Sequence, residues 1–142
     1  MKPAAPDDSQ ALIDRHARAG WAVLLVSTVF GLGLDGLHAF KVGWYLDVGN
    51  ETRRLMWTLA HAHGTLLGLV NLAFSATAHR QPPRAVRRRH NASRCLLAAT
   101  VLLPVGFFLG GCFVYAGDPG VGVVLVPIGG VLLVAALMQI LW

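Results

Sequence analysis

The sequence predicts an all-α fold, an integral membrane bundle of four helices that forms a single domain over residues 1–142. Hydrophobic residues make up 55% of the chain and charged residues only 13%, a composition typical of membrane proteins. A membrane-spanning helix needs about 20 consecutive apolar residues. Four stretches meet this requirement: residues 20–40, 55–78, 95–115 and 121–142. Because so little sequence lies outside them, we expect no separate soluble domain.

The charge distribution predicts how these helices are oriented in the membrane. The connection between the second and third spans, residues 79–94, has no acidic residue and carries six arginines: Arg80, Arg84, Arg87, Arg88, Arg89 and Arg94. Basic residues concentrate in cytoplasmic loops. We therefore expect this connection and both chain ends in the cytoplasm, with the chain in a bacterial inner membrane. Since the basic residues lie beside membrane spans, the net charge of +5 does not indicate nucleic-acid binding.

The first span carries a polar face. It is preceded by residues 8–18, which are expected either to lie on the membrane surface or to form the first turns of the helix, with His16 solvated. Within the span, four small or polar residues recur at spacings of four, four and three, on one helix face: Ser27, Gly31, Asp35 and His38. Asp35 and His38 are one turn apart, so the carboxylate is expected to orient the imidazole, as carboxylates do behind ligand histidines.

The second span carries two histidines within its apolar part, His61 and His63. Ionisable residues at membrane depth are costly and usually functional. Residues two apart on a helix point to nearly opposite sides, so the two imidazoles are expected on different faces. His61 shares its face with Gly64, Gly68 and Asn71, whereas His63 shares a face with large apolar residues. We therefore expect His61 to contact protein or a cofactor.

Helix depths indicate that His61 meets the polar face of the first span. Counted inward from Arg54, His61 lies about 10 Å down its helix, and His38 lies about 9 Å inward from Trp44. The two spans run in opposite directions. Asp35, His38 and His61 are therefore expected in one layer, in the outer half of the membrane.

The remaining elements are expected to support the bundle. Trp44 and Tyr45, in the first outer loop, suit the interfacial aromatic belt. Gly106 and Gly110 in the third span repeat the spacing of the glycine pair in the second span. Such pairs let helices approach closely, so we expect the glycine faces to form a homo-oligomer within the lipid bilayer.

Histidines at this depth suit three chemistries. An imidazole nitrogen binds haem iron axially, and glycines beside it leave room for the flat macrocycle. His61 with Gly64 and Gly68 fits this pattern, and His38 is the candidate for a second axial ligand. A proton relay would use Asp35, His38 and His61, and a small metal site would use His and Asp ligands. A polar cluster that only joins helices is a further interpretation, and the residues alone leave all of these open.

Three short motifs resemble segments of the styrene oxide isomerase family, whose members are small bacterial membrane proteins of four helices. The second span carries Trp57, Ala60, His61 and Gly68 in the spacing that surrounds the family's haem-ligating histidine. Residues 30–34 (FGLGL) and 105–108 (VGFF) resemble the family's first and third helices. The resemblance implies haem b with His61 as axial ligand, and an isomerase reaction that converts epoxides to aldehydes.

The chain departs from that family at two positions. The family has an asparagine six residues after the ligand histidine and a tyrosine at the end of the third-helix motif, where this chain has Leu67 and Phe108. In the family these polar groups position the epoxide oxygen. Asn71 and Tyr115 are the candidates to replace them as catalytic residues here.

A second resemblance covers only the second span. Residues 57–64 (WTLAHAHG) are similar to the His-x-His helix of haem–copper oxidase catalytic subunits, in which the two histidines serve haems on opposite sides of one helix. This resemblance implies that His63 is a ligand for a haem shared between subunits.

Together these features predict a membrane haem b protein with His61 as axial ligand and Asp35 behind the metal site. If it is an enzyme, ferric iron is expected to act as a Lewis acid towards the oxygen of a small apolar substrate. The alternative is a non-enzymatic protein, a proton-linked carrier or an assembly factor, whose Asp35, His38 and His61 bind no cofactor.

Overall fold

The protein consists of helices joined by short connections. The structure is a computed structural model and describes residues 8–78 and 86–141, which contain four α-helices and no β-strand. The helices are α1 (Asp8–Ala39), α2 (Thr52–Thr77), α3 (Val86–Cys112) and α4 (Leu125–Leu141), with a 3₁₀ turn, Val121–Val124, directly before α4. The prediction of an all-α bundle is confirmed.

Three of the described helical segments are long and apolar enough to cross a membrane: Ser9–Ala39, Arg87–Cys112 and Val121–Leu141. The 26 residues of α2 include His61, His63 and Asn71, and α2 is not among the three. It nevertheless packs between α1 and α3. The structure therefore supports an integral membrane protein. Cytoplasmic location of both chain ends and a bacterial inner membrane stay predictions.

The start of α1 decides between the two alternatives for residues 8–18. They form the first turns of one continuous helix of 32 residues rather than a separate surface segment. This end of α1 packs on the other helices, since the hydroxyl of Ser75 in α2 donates to the carbonyl of Ile13 at 3.0 Å.

The predicted basic connection is shorter than expected. Because α3 begins at Val86, residues 86–94 are helical, while Arg80 and Arg84 lie outside the described residues. Arg89 is only 8% exposed and donates to the carbonyl of Ala78, at the C-terminal end of α2. One arginine of this cluster thus binds the free carbonyls at a helix end, in addition to any role in topology.

Each helix packs mainly against the helices next to it in the chain. α2 therefore lies between α1 and α3, and α4 covers the other side of α3. The apolar core runs along these contacts and includes Leu12, Leu67, Phe74, Leu96, Leu103 and Ala136. This order leaves the α1–α2 contact open on one side near the loop that joins the two helices, which is where the candidate site lies.

The glycine pairs serve contacts within the chain. A Cβ at Gly68 would lie 3.1 Å from the carbonyl oxygen of Gly20, so α1 and α2 touch there through their backbones. Gly106 approaches the backbone and side chain of Val126 in α4 in the same way. The faces that were expected to join subunits are therefore occupied by helices of the same chain. A homo-oligomer stays a prediction, but the glycine faces no longer support it.

Candidate functional site

His61 is held against α1 by a hydrogen bond to the backbone. Its Nδ1 lies 2.8 Å from the carbonyl oxygen of Ser27. A carbonyl oxygen only accepts, so the proton of the neutral imidazole is on Nδ1 and the lone pair is on Nε2. Nε2 has no hydrogen-bond partner among the described residues. Because the two ring nitrogens point to nearly opposite sides, Nε2 faces away from Ser27.

Gly31 makes room for this imidazole. A Cβ built on Gly31 would lie 2.5 Å from Cε1 and 2.7 Å from Nδ1 of His61, distances that no real side chain tolerates. Gly31 is one turn beyond Ser27 on the same helix face. The Ser27 carbonyl and the space left by the missing side chain of Gly31 therefore both face the imidazole of His61. The polar face predicted for the first span is therefore the surface that receives His61.

His61 lines a groove between α1 and α2, in the halves of these helices nearest the loop that joins them. The groove has a volume of about 640 Å³ and is open on one side. Its wall is mixed, with leucines from both helices, three threonines and several ionisable groups. The residues that line it include Thr28, Leu32, Leu34, Asp35, His38, Tyr45, Glu51, Arg54, Leu55, Thr58, His61 and Thr65.

Asp35 and His38 line the same groove, but the three ionisable residues do not share one layer. His61 is level with Gly31, so Asp35 lies one turn further out and His38 about 10 Å further out along α1. The depth prediction was wrong because it counted from Trp44, which lies in the loop after the helix has ended at Ala39.

The expected contact between Asp35 and a histidine is not formed. No hydrogen bond joins Asp35 to His38 or to His61, all three of which the structure describes. Asp35 was predicted to orient His38 and to stand behind the metal site; at His61 it is the carbonyl of Ser27 that fixes the tautomer and the orientation. Asp35 is instead an exposed carboxylate at the groove wall.

Gly64 and Gly68 were expected to leave space beside His61 for a cofactor ring, and the structure fills that space with α1. The side chain of Ser27 lies directly against Gly64, and Leu24 and Gly20 lie against Gly68. Neither glycine lines the groove. Their physical role in the structure is to bring α2 close to α1, which seats His61 on Gly31.

His63 lies on a different face of α2, as its spacing from His61 predicts. Its Nδ1 donates to the carbonyl of Leu59 at 2.8 Å, one turn back in the same helix, and its ring packs on Phe107 of α3 with 4.6 Å between centroids. His63 therefore also has its lone pair on Nε2, but it does not line the groove. A role in a haem between subunits stays a prediction.

Asn71 belongs to a buried network at the other end of the bundle. Its amide nitrogen donates to the hydroxyl of Thr100 at 2.8 Å, so its carbonyl oxygen accepts from Nδ1 of His16 at 2.7 Å. The hydroxyl of Ser93 then donates to Nε2 of His16 at 2.8 Å and accepts from Arg15 at 2.9 Å. These groups join α1, α2 and α3 in one satisfied network, away from the groove.

His16 was expected to be solvated and is fully buried. A signal for this was in the sequence, because the polar face of α1 continues backward from Ser27 through Gly20 to His16 at seven- and four-residue steps. In antiparallel helices, a residue 11 positions before Ser27 meets a residue about as far beyond His61, and Asn71, 10 positions beyond, is close to that point.

Tyr115, the other candidate catalytic residue, is also distant from the groove. It is 84% exposed, and its backbone pairs with that of Asp118 in the turn after α3. Leu67 lies in the apolar core, and Phe108 stacks on Trp57 with 5.7 Å between centroids. The two positions that differ from the isomerase family are thus packing positions, and neither Asn71 nor Tyr115 brings a polar group to His61.

Tyr45 was assigned to the exposed aromatic belt, yet it is only 4% exposed and lines the groove. Its ring stacks on Trp57, with 6.2 Å between centroids and 25° between the planes. Tertiary packing of the loop onto α2 decides this position, and sequence spacing gives no signal for it.

The side chains that line the groove favour a ligand that one imidazole can coordinate. Within the described part of the chain, no three His, Cys, Asp or Glu side chains converge as ligands for a metal ion. What the groove offers is a single oriented nitrogen lone pair, apolar walls and polar groups towards the outer end. Comparisons of the chain with models of protein families, with curated proteins and with solved structures give no match.

Proposed function

We propose that this integral membrane protein binds haem b in the α1–α2 groove, with Nε2 of His61 as axial ligand. The observation that carries the proposal is the bond from Nδ1 of His61 to the carbonyl of Ser27. Ligand histidines usually donate their other ring N–H to a carbonyl or carboxylate, which fixes the tautomer and raises the basicity of the coordinating nitrogen. His61 has this arrangement before any ligand binds.

The groove suits a large, mostly apolar ligand. Its volume of about 640 Å³ lies within the range of cofactor sites, and Leu32, Leu34 and Leu55 line it. When bound, haem would supply an iron centre for Lewis-acid or redox chemistry. The chain itself orients the imidazole, lines the groove with leucines and leaves it open on one side.

An isomerase-like reaction, epoxide to aldehyde, is the enzymatic form of this proposal. The polar groups that line the groove near His61 are Thr28, Asp35, Thr58 and Thr65. A substrate oxygen in the groove would meet these side chains rather than Asn71 or Tyr115. A proton relay without a cofactor has less support, because no hydrogen bonds connect Asp35, His38 and His61 to one another.

Absorption spectroscopy tests the haem proposal. The protein, purified in detergent from haem-supplemented cells, should show a Soret band. The band should be absent in His61→Ala and present in His38→Ala, the matched control that removes another imidazole from the same groove. In His61→Gly, added imidazole should restore the band by occupying the space of the lost side chain. A colourless wild-type protein, or a full band in His61→Ala, would overturn the proposal.

Turnover tests the enzymatic form separately. Haem-loaded protein should convert aryl or alkyl epoxides to aldehydes, and His61→Ala should not. If a panel of both kinds of epoxide gives no aldehyde, the isomerase reaction is rejected while haem binding stands.

A further inference from the structure

Tyr45 presents the hydroxyl of an otherwise buried side chain to the groove. The side chain is 4% exposed, and its ring is fixed in a stack with Trp57, which itself stacks on Phe108. Its hydroxyl forms no hydrogen bond with any part of the chain that the structure describes, and it is not one of the fully buried unpaired polar atoms. The small accessible part of this side chain therefore includes the hydroxyl. A tyrosine hydroxyl in such a position normally finds a partner, and a rigid donor that opens into a cavity is available to a ligand.

Arg54 lines the same end of the groove, and its role differs from that of the neighbouring arginine. Arg53 donates to the carbonyls of Gly111 and Trp44, at 3.1 and 2.8 Å, and so joins α2 to the last turn of α3 and to the loop after α1. Arg54 bonds to Glu51 alone among the described residues, at 2.6 Å. It is therefore the guanidinium in this groove that a ligand can engage.

The Arg54–Glu51 pair is easily replaced. The two side chains are 33% and 64% exposed, and exposed pairs of this kind contribute only about 0–1 kcal/mol. A ligand carboxylate can therefore take the place of Glu51 on the guanidinium while the Glu51 carboxylate turns to water. Asp35 also lines the groove, but it lies nearer the level of His61, on α1.

The distance between Arg54 and His61 along the groove suits a porphyrin that carries carboxylates. Arg54 and His61 are seven residues apart on α2, about 10 Å along the helix axis. A porphyrin held by its iron at one end carries its two propionates on a single edge, and that edge can face the other end. We infer that Arg54 and Tyr45 form a carboxylate site for the propionates of the haem, which points them towards the outer membrane boundary. The inference rests on the proposed function.

Haem and its dimethyl ester, in which both propionates are uncharged, provide the test. Titrated as ferric forms into cofactor-free protein and followed at the Soret band, haem should bind about tenfold more tightly than the ester. Tyr45→Phe keeps the ring stack, and Arg54→Gln keeps the length of the side chain; each should reduce the preference several-fold. Glu51→Gln should preserve or increase it. Arg18→Gln, an equal change of charge at an exposed site in the other half of α1, should leave it unchanged.

The outcomes separate this inference from the proposed function. Equal affinities for haem and ester in the wild type, or a preference that survives both Arg54→Gln and Tyr45→Phe, would overturn the carboxylate site. In either case binding that depends on His61 would still support the haem site itself. If neither porphyrin shifts the Soret band, the proposed function is overturned, and the carboxylate site with it.

Discussion

The imidazole of His61 lies directly against the backbone of Gly31, with no space between them for even a methyl group. Among the glycines of α1, Gly31 is the one that packs against an aromatic ring, and that ring belongs to His61, the best candidate for a ligand in the described chain. It also means that the orientation of His61 is set by α1, the helix opposite, as much as by its own helix.

Gly31→Ala should therefore displace His61. Its Cβ would lie 2.5 Å from the ring, so either the imidazole leaves the Ser27 carbonyl or the helices separate, at a cost of about 1–3 kcal/mol. We expect haem affinity, measured at the Soret band, to fall about tenfold or more. Gly33→Ala is the matched control, because nothing lies within 4 Å of a Cβ at that position. Unchanged affinity in Gly31→Ala would show that His61 is not held as described.

Asn71 should act on stability and not on cofactor binding. In Asn71→Leu, His16 and the hydroxyl of Thr100 each lose a buried partner, with an expected loss of about 2–4 kcal/mol in the free energy of unfolding in detergent. Asn91→Leu replaces an exposed asparagine of α3 and should change stability little. If Asn71→Leu kept full stability and lost epoxide turnover, the catalytic role first assigned to Asn71 would be correct.

His63 should not be needed for the haem at His61. His63→Ala removes an imidazole that packs on Phe107 and bonds within its own helix, so we expect a normal Soret band and a loss of about 1 kcal/mol in stability. His61→Ala provides the comparison. Loss of half or more of the bound haem in His63→Ala would instead favour a haem shared between subunits.

Substitution of Arg53 should lower the stability of the fold, whereas substitution of the adjacent Arg54 should affect ligand binding. Arg53→Gln removes bonds to a carbonyl at the end of α3 and to a loop carbonyl, and should lower the free energy of unfolding by about 1.5–3 kcal/mol. Arg54→Gln removes one exposed ion pair and should change it by less than about 1 kcal/mol. Thermal unfolding of the two variants in the same detergent measures the difference. Equal losses would mean that Arg54 also supports the fold.

Accessibility to a thiol reagent that cannot cross membranes tests the predicted orientation. In a protein with Cys95 and Cys112 replaced by serine, Asp118→Cys should react in intact cells, whereas Arg88→Cys should react only after the membrane is opened. Both positions are exposed, so neither should be shielded by the fold. The opposite pattern would place the basic end of α3 outside.

Part of the candidate site could be predicted from the spacing of residues. A two-residue step on a helix separates two side chains by more than half a turn, so the different faces of His61 and His63 follow from helix geometry alone. The shared face of Ser27 and Gly31 follows in the same way. Depth could not be obtained so simply, because it depends on where α1 ends and on how the next loop folds back, and Trp44 was therefore a poor reference point.

The sequence by itself determined that the chain is helical, rich in apolar segments long enough for a membrane, and marked by a polar face on each of two neighbouring helices, because composition and periodicity are local properties. Tertiary structure alone decided which side chain meets which. It placed Tyr45 in the groove, joined His16 to Asn71, and used Gly64 and Gly68 for helix contact rather than for a ligand. The physical reason is that contacts between helices depend on their relative rotation and offset, which no pattern within one helix specifies.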